Sequence, residues 1–280
     1  MLSPAQAETQ RERLLYEIML GGLHIGDSMV TFSQSPDAYR TSLSMTSRGM
    51  LQWMQNFSAG VSSEGQLVGS ATDAITPVPL TYRRAWTAPE MASTMTMHFD
   101  PRTGLATSEE KLFNPATGAT LTPEDMPWNT RRSPLPDVPE KLRLGAMDPV
   151  AAFVSARLAI RDAGKSEVRV PIYDGRRRYD IISTASTPRS YTIRDQTHDV
   201  VPVTSRVEPV FGFEPDAEDR MREGEGKVLF SNDERFVPLQ VILGNSMFSS
   251  VMNLVADCER DPAACAAITE TTEDGETASN

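Results

Sequence analysis

The feature that most constrains this chain is a two-residue alternation that recurs along it. From Tyr39 to Ser47, Tyr39, Leu43 and Met45 fall on one side, while Arg40, Ser42, Ser44 and Thr46 fall on the other. Successive side chains of a strand point to opposite faces, so this pattern predicts an antiparallel strand with one buried face. Met91 to Phe99 repeats it, with Met91, Met95, Met97 and Phe99 facing one way and Thr94, Thr96 and His98 the other. Asp100-Pro101-Arg102-Thr103-Gly104 then reads as a turn, because proline presets φ and glycine permits a positive one. Leu14–Leu20 and Leu23–Phe32 read as a hairpin joined at Gly21-Gly22. The apolar phase of its second strand slips across Gly26-Asp27, which predicts a bulge. Further strands are predicted at Val78–Trp86, Val168–Tyr173, Arg178–Ser183, Ser190–Arg194, Val200–Val207, Lys227–Ser231 and Phe236–Leu243. Asp174-Gly175 marks a hairpin turn between two of them.

Two helices interrupt the strands. Asp148-Pro149 supplies an N-cap and a first-turn proline, Phe153, Val154, Ala156, Leu158 and Ile160 form an apolar stripe, and Gly164 supplies the stop. A shorter helix is predicted from Met50 to Phe57, with Met50, Trp53, Met54 and Phe57 on one side. Its polar side is Gln52, Gln55 and Asn56 and has no lysine or arginine, which favours core or sheet-capping packing over a membrane-surface role. Residues 114–141 hold Pro115, Pro123, Pro127, Pro134, Pro136 and Pro139 and are expected to be a long irregular connection over the surface. The tail from Glu270 is acidic and polar and is expected to be disordered.

Composition excludes several classes. A formal net charge of −11 argues against nucleic acid, which rewards a basic stripe. Arg176-Arg177-Arg178 alternates between strand faces and reads as a solvated strand start. No apolar run is long enough to cross a bilayer as a helix. The two cysteines, Cys258 and Cys265, lack the neighbours zinc requires. In an oxidising compartment they are expected to close a small loop, and elsewhere they stand as free thiols. Ala5-Gln6-Ala7 has the small-x-small form that signal peptidase reads, which makes Glu8 the first mature residue and residues 1–7 a remnant of the cleavage region.

The catalytic inventory is thin. Gly244-Asn245-Ser246-Met247-Phe248 begins like a nucleophile elbow but lacks the closing glycine. His24, His98 and His198 are scattered singly among strands, and only His98 has a carboxylate, Asp100, at strand spacing. No metal-ligand or cofactor motif is present. Methionine is abundant, with 14 in the chain. Leu43, Met45, Met91, Met95, Met97 and Phe99 form a candidate face for an apolar ligand, since methionine adapts to varied apolar partners; methionine also fills irregular cores.

The order of these elements resembles a bacterial family, the domain of unknown function 3108. The resemblance runs through Tyr16-Glu17-Ile18 and Gly21 to Asp27, then Tyr39-Arg40 and Ser47-Arg48-Gly49-Met50. It continues in Phe99-Asp100-Pro101, Asp148-Pro149-Val150, Asp174-Gly175-Arg176-Arg177 and Asn232-Asp233-Glu234-Arg235, covering about Leu14 to Val255. The resemblance implies an exported, mostly β protein of Gram-negative bacteria and brings no catalytic residues.

The expected fold is mainly β: a long curved antiparallel sheet, half-barrel or spiral-like, wrapped around the helix of 148–164. Residues 8–257 are expected to form a single domain, followed by a Cys loop and acidic tail over 258–280. The expected function is a non-enzymatic periplasmic envelope protein, without cofactor, that holds a lipid or other apolar ligand on the curved sheet. A protein-interaction scaffold of the envelope and a hydrolase of envelope polymers are the alternatives.

Overall fold

The computed structural model describes residues 9–49, 52, 56–69, 75–122, 125, 135–244 and 249–266. Its strands are β1 (Gln10–Leu20), β2 (Leu23–Gln34), β3 (Ala38–Ser47), β4 (Ser58–Val68), β5 (Thr76–Thr87), β6 (Ala92–Phe99) and β7 (Ala106–Phe113). They continue as β8 (Glu167–Tyr173), β9 (Arg178–Ala185), β10 (Arg189–Ile193), β11 (Gln196–Phe211), β12 (Glu225–Ser231), β13 (Pro238–Leu243) and β14 (Ser250–Asp257). All 14 belong to one sheet, ordered β7-β6-β5-β4-β3-β2-β1-β14-β13-β12-β11-β9-β8, with β10 paired to β11 beyond the end of β9. The ladders are antiparallel, and the first strand pairs with the last. The register shift in the β1–β2 hairpin leaves Ile25 without a partner on β1, next to the glycine where the sequence predicted a bulge.

The end strands β7 and β8 share no ladder. Residues 142–147 lie between them as a wedge. Arg143 Nη1 donates to the Ala106 carbonyl at 2.8 Å, Met147 N–H to the Pro171 carbonyl at 2.8 Å, and Tyr173 N–H to the Met147 carbonyl at 2.9 Å. Ser108 Oγ lies 3.0 Å from Tyr173 Oη and donates to the Gly175 carbonyl at 3.2 Å. The result is a nearly closed, barrel-like sheet whose seam is held by side chains and single bridges.

The described helices are short: α1 (Glu140–Arg143), α2 (Pro149–Arg161), α3 (Pro215–Glu223) and a turn over 262–266. As the sequence predicted, Asp148 caps α2, Pro149 opens it and Gly164 follows it at positive φ. The helix buries two sides. Ala152, Ala159 and Ile160 pack with Val168, Val170 and Ile172, whereas Ala151, Val154 and Leu158 pack with Tyr39 and Leu67. Phe153 stacks between Phe32 and Phe230, with centroids 6.2 and 6.1 Å away.

Several expectations are corrected. Strands β4, β7 and β14 and the polar helix α3 were not predicted. The stretch 114–141 is not wholly a surface connection: Phe113 and Thr120 form a bridge, Val138 is buried in the core, and α1 begins at Glu140. Arg178 is not solvated. It is half-buried, donating from Nε to the Leu142 carbonyl and from Nη1 to Asp180. The predicted helix at Met50–Phe57, the expected tail and the leader remnant lie largely or wholly outside the described residues.

Candidate functional site

Sheet register decides where the candidate apolar face lies. Leu43 opposes Val61, Val61 opposes Arg84, and Arg84 opposes Met95, so these side chains form one row across β3–β6. Met95, Met97 and Phe99 are buried with Tyr82, Ala106 and Tyr173, and Val138 and Ala146 of the wedge region pack against them. A Cβ on Gly175 would collide with the Met95 sulfur, so the β8–β9 turn lies directly on this face. Leu43, Met45 and Met91 remain half-buried. Leu43 and Met95 line a hollow of about 480 Å³ with Val61 and Arg84, but the six residues form no single open surface.

Met45 instead borders a small apolar pocket of about 180 Å³, lined with Ile18, Ile25, Gly26, Thr46, Ser47 and Phe57. A larger cleft of about 410 Å³ lies under the tip of the β10–β11 hairpin. Its floor is Ile193, Leu239, Leu254 and Ala256, and its lip carries Arg194, Asp195, His198 and Asp257. Arg194 and Asp195 both have positive φ, and Arg194 pairs with Glu17 at 3.0 Å.

The histidines do not assemble a catalytic group among the described residues. His98 is exposed, and Asp100 is committed to its turn by accepting from the Arg102 and Thr103 N–H groups, which hold its carboxyl below the usual range. His24 lies 2.9 Å from Asp27, which also meets Arg48. His198 lines the cleft beside Asp195 and Asp257, but no serine, threonine or free cysteine lines it with them. No group of three or more His, Cys, Asp or Glu among the described residues could hold a metal ion.

Sequence reasoning placed Asp148 as a helix cap but missed its burial, and it missed Arg157. Asp148 is fully buried: Oδ1 accepts from the Val150 and Ala151 N–H groups, both at 2.9 Å, and Oδ2 accepts from Ser63 Oγ at 2.8 Å. Ser63 Oγ lies 3.0 Å from Tyr39 Oη. Burial pushes the Asp148 carboxyl up to about 6, against the lowering effect of these hydrogen bonds. Arg157 is also buried. It donates to both Glu12 oxygens and to the Arg235 and Phe236 carbonyls, and its guanidinium lies 4.7 Å over the Phe32 ring. The available signal was an arginine set among α2's apolar positions.

Cys258 and Cys265 are disulfide-bonded, with Cα atoms 5.5 Å apart, and pack against Leu15, Met29 and Ala256 on the outer side of β1, β2 and β14. Among the described residues, no helix is long and apolar enough to cross a membrane.

A family model, the protein of unknown function family DUF3108, matches residues 15–247. The chain belongs to this family. The DUF3108 chain is also similar to a solved structure, described as a beta-barrel-like protein of domain of unknown function DUF1849 from Brucella abortus. The TM-score is 0.49 at 12% identity, over 88% of this chain and 95% of that one. No curated protein matches the chain.

Proposed function

We propose that this DUF3108 chain is an exported, non-catalytic protein of the cell envelope, a sheet wrapped around α2 that works through its outer surface. The observation that carries this reading is the covering of the β6 half of the methionine face. Met95, Met97 and Phe99 meet the wedge and Tyr173 where a ligand would otherwise sit. The Cys258–Cys265 bond supports an oxidising compartment, since cytosolic thiols are kept reduced, and the cleavage-site triplet Ala5-Gln6-Ala7 points the same way. Charged residues line the outside of the sheet, where Arg40 pairs with Glu64 and Arg169 with Glu208. A barrel crossing a bilayer carries an apolar band there instead.

A second reading keeps an apolar ligand and places it in the pocket beside Met45, whose volume suits a short chain end. Two measurements separate these readings. Alkylation of unreduced cell fractions should find the cysteines protected and the protein in the periplasmic fraction. Organic extraction of the purified protein should release no equimolar lipid. A reduced cytoplasmic pool overturns the export reading, whereas an equimolar lipid favours the pocket.

A further inference from the structure

Residues 178–211 form one long hairpin. Arg178 to Ala185 and Arg189 to Ile193 both pair with β11, and Arg194-Asp195 make its two-residue tip. Its outer half has β11 alone for a partner until Val200 meets β12. This half is an arm laid across the outer side of the sheet. Lys227 Nζ of β12 lies 5.3 Å from the Tyr191 ring, and Ile193 is buried with Leu229 of β12 and Leu239 of β13. The tip reaches Glu17 of β1, and β12, β13 and β14 lie between β11 and β1 in the sheet. A chain of polar contacts clamps it there. Gln240 donates to Asn253 at 2.7 Å, Asn253 to Glu17 Oε1 at 3.1 Å, and Arg194 pairs with the same oxygen at 3.0 Å. An arm packed at its root and clamped at its tip holds open the cleft of about 410 Å³ beneath it. That volume falls in the range of small-molecule pockets.

The polar groups of the cleft divide into engaged and unengaged ones. Arg194 is held by Glu17, and Asp257 meets Arg235 at 2.6 Å and Arg260 at 3.8 Å. Asp195, Gln196 and His198 line the same cleft, and their side chains engage nothing among the described residues. Asp195 is therefore the one carboxylate of the lip without a cation. All three side chains can accept a hydrogen bond, histidine through one ring nitrogen in its neutral form. Below them lie the apolar Ile193, Leu239, Leu254 and Ala256. A primary ammonium group brings one positive charge and three donors, which matches one free carboxylate and three acceptors. An apolar body behind it would cover the floor. A carboxylate or phosphate head would instead meet Asp195 with like charge.

We propose that the cleft under the hairpin arm binds a small primary amine, its ammonium head against Asp195, Gln196 and His198 and its aliphatic body on the floor. The site goes beyond the envelope assignment and is read on purified protein, so its failure leaves the tests of that assignment untouched.

The test is calorimetric titration of the purified protein with hexylamine, beside hexanol and hexanoate, which carry the same body on a different head. Hexylamine should bind saturably at one site, and the other two at least roughly tenfold more weakly. Asp195→Asn should weaken hexylamine binding by roughly tenfold, since it removes the free charge. Asparagine suits the positive φ of this turn position, so the variant keeps the tip intact. His198→Ala, on the strand beside the tip, should show a smaller loss in the same direction. Asp216→Asn, which removes a carboxylate from α3, should bind as wild type. Hexylamine held in the pocket beside Met45 would be indifferent to Asp195. Three results would overturn the proposal: no saturable binding of hexylamine, hexanol or hexanoate binding as tightly, or Asp195→Asn binding as wild type.

Discussion

Asp148 and Arg157 lie about two and a half turns apart on α2, and both are buried, but the protein accommodates their charges in opposite ways. Arg157 meets an opposite charge, Glu12, along with two carbonyls and the face of Phe32. Asp148 meets only neutral donors, two backbone N–H groups and the Ser63 hydroxyl. Burial pushes the guanidinium of Arg157 down and the pair with Glu12 pushes it back, and an arginine keeps its proton in any working range. Nothing of opposite charge opposes the burial of Asp148, and its carboxyl is pushed up to about 6. One half of the helix is therefore held by an ion pair, and the other by a carboxyl that meets only neutral donors and titrates in mild acid.

The largest effect expected comes from breaking the paired charge. Arg157→Ala should destabilise the fold by about 3–5 kcal/mol in urea denaturation, because Glu12 keeps only the distant Arg235 and the Arg235 and Phe236 carbonyls lose their donor. Glu12→Met with Arg157→Met should recover most of that loss, and a double variant as unstable as the single would contradict this account. Asp148→Ala should cost less, about 1–3 kcal/mol, through loss of the cap and of the bond to Ser63.

The pH profile sharpens the contrast. The folded Asp148 carboxyl holds its proton up to about 6, whereas its unfolded value is 3.8. Its contribution is therefore fully present below about pH 4 and is lost as pH rises through 6, a change on the order of 2–3 kcal/mol. Asp100, Asp180, Glu208 and Asp233 act with the opposite sign, because their lowered values withdraw stability only as pH falls through the acid range. Asp148→Asn keeps an acceptor for the cap and should flatten the slope between pH 4 and 6. An unchanged slope in this variant would move the titration elsewhere. The smallest effect belongs to the seam. Ser108→Ala should cost about 0.5–1.5 kcal/mol and speed hydrogen exchange at Met147 and Tyr173.

Strands with one buried face were legible because alternation is local. The β6 pattern was read directly, and Met95, Met97 and Phe99 are buried as it implies. Three strands were not legible, for different reasons. Strand β4 opens with small residues that carry no alternation, and at Gly65 its neighbours leave no room: a Cβ there would collide with the Val78 carbonyl and the Tyr39 ring. Strand β7 is an edge, and its Glu109, Glu110 and Lys111 are the charges that protect an edge, not those that mark a strand. In β14, a bulge opposite Leu15 and Tyr16 interrupts the alternation.

The candidate site was legible only in half. Sequence located the methionine face but not what covers it, since Val138 and Ala146 come from or beside a stretch whose prolines read as surface. The ion pair of Arg157 with Glu12 spans 145 positions, a distance over which local pattern carries no information.

The pairing of β1 with β14 also sets an order of events for the nascent chain. Strands β1 to β7 can form hairpin by hairpin as they emerge, but Leu14 to Leu20 keep an unpaired edge until residues 250–257 arrive. That edge must wait for almost the entire chain, a closure of high contact order and a period of exposure to other strands. The slow step of folding is thus expected to be the arrival of the last strand, after which the loop of Cys258 and Cys265 locks down beside the junction it has just closed.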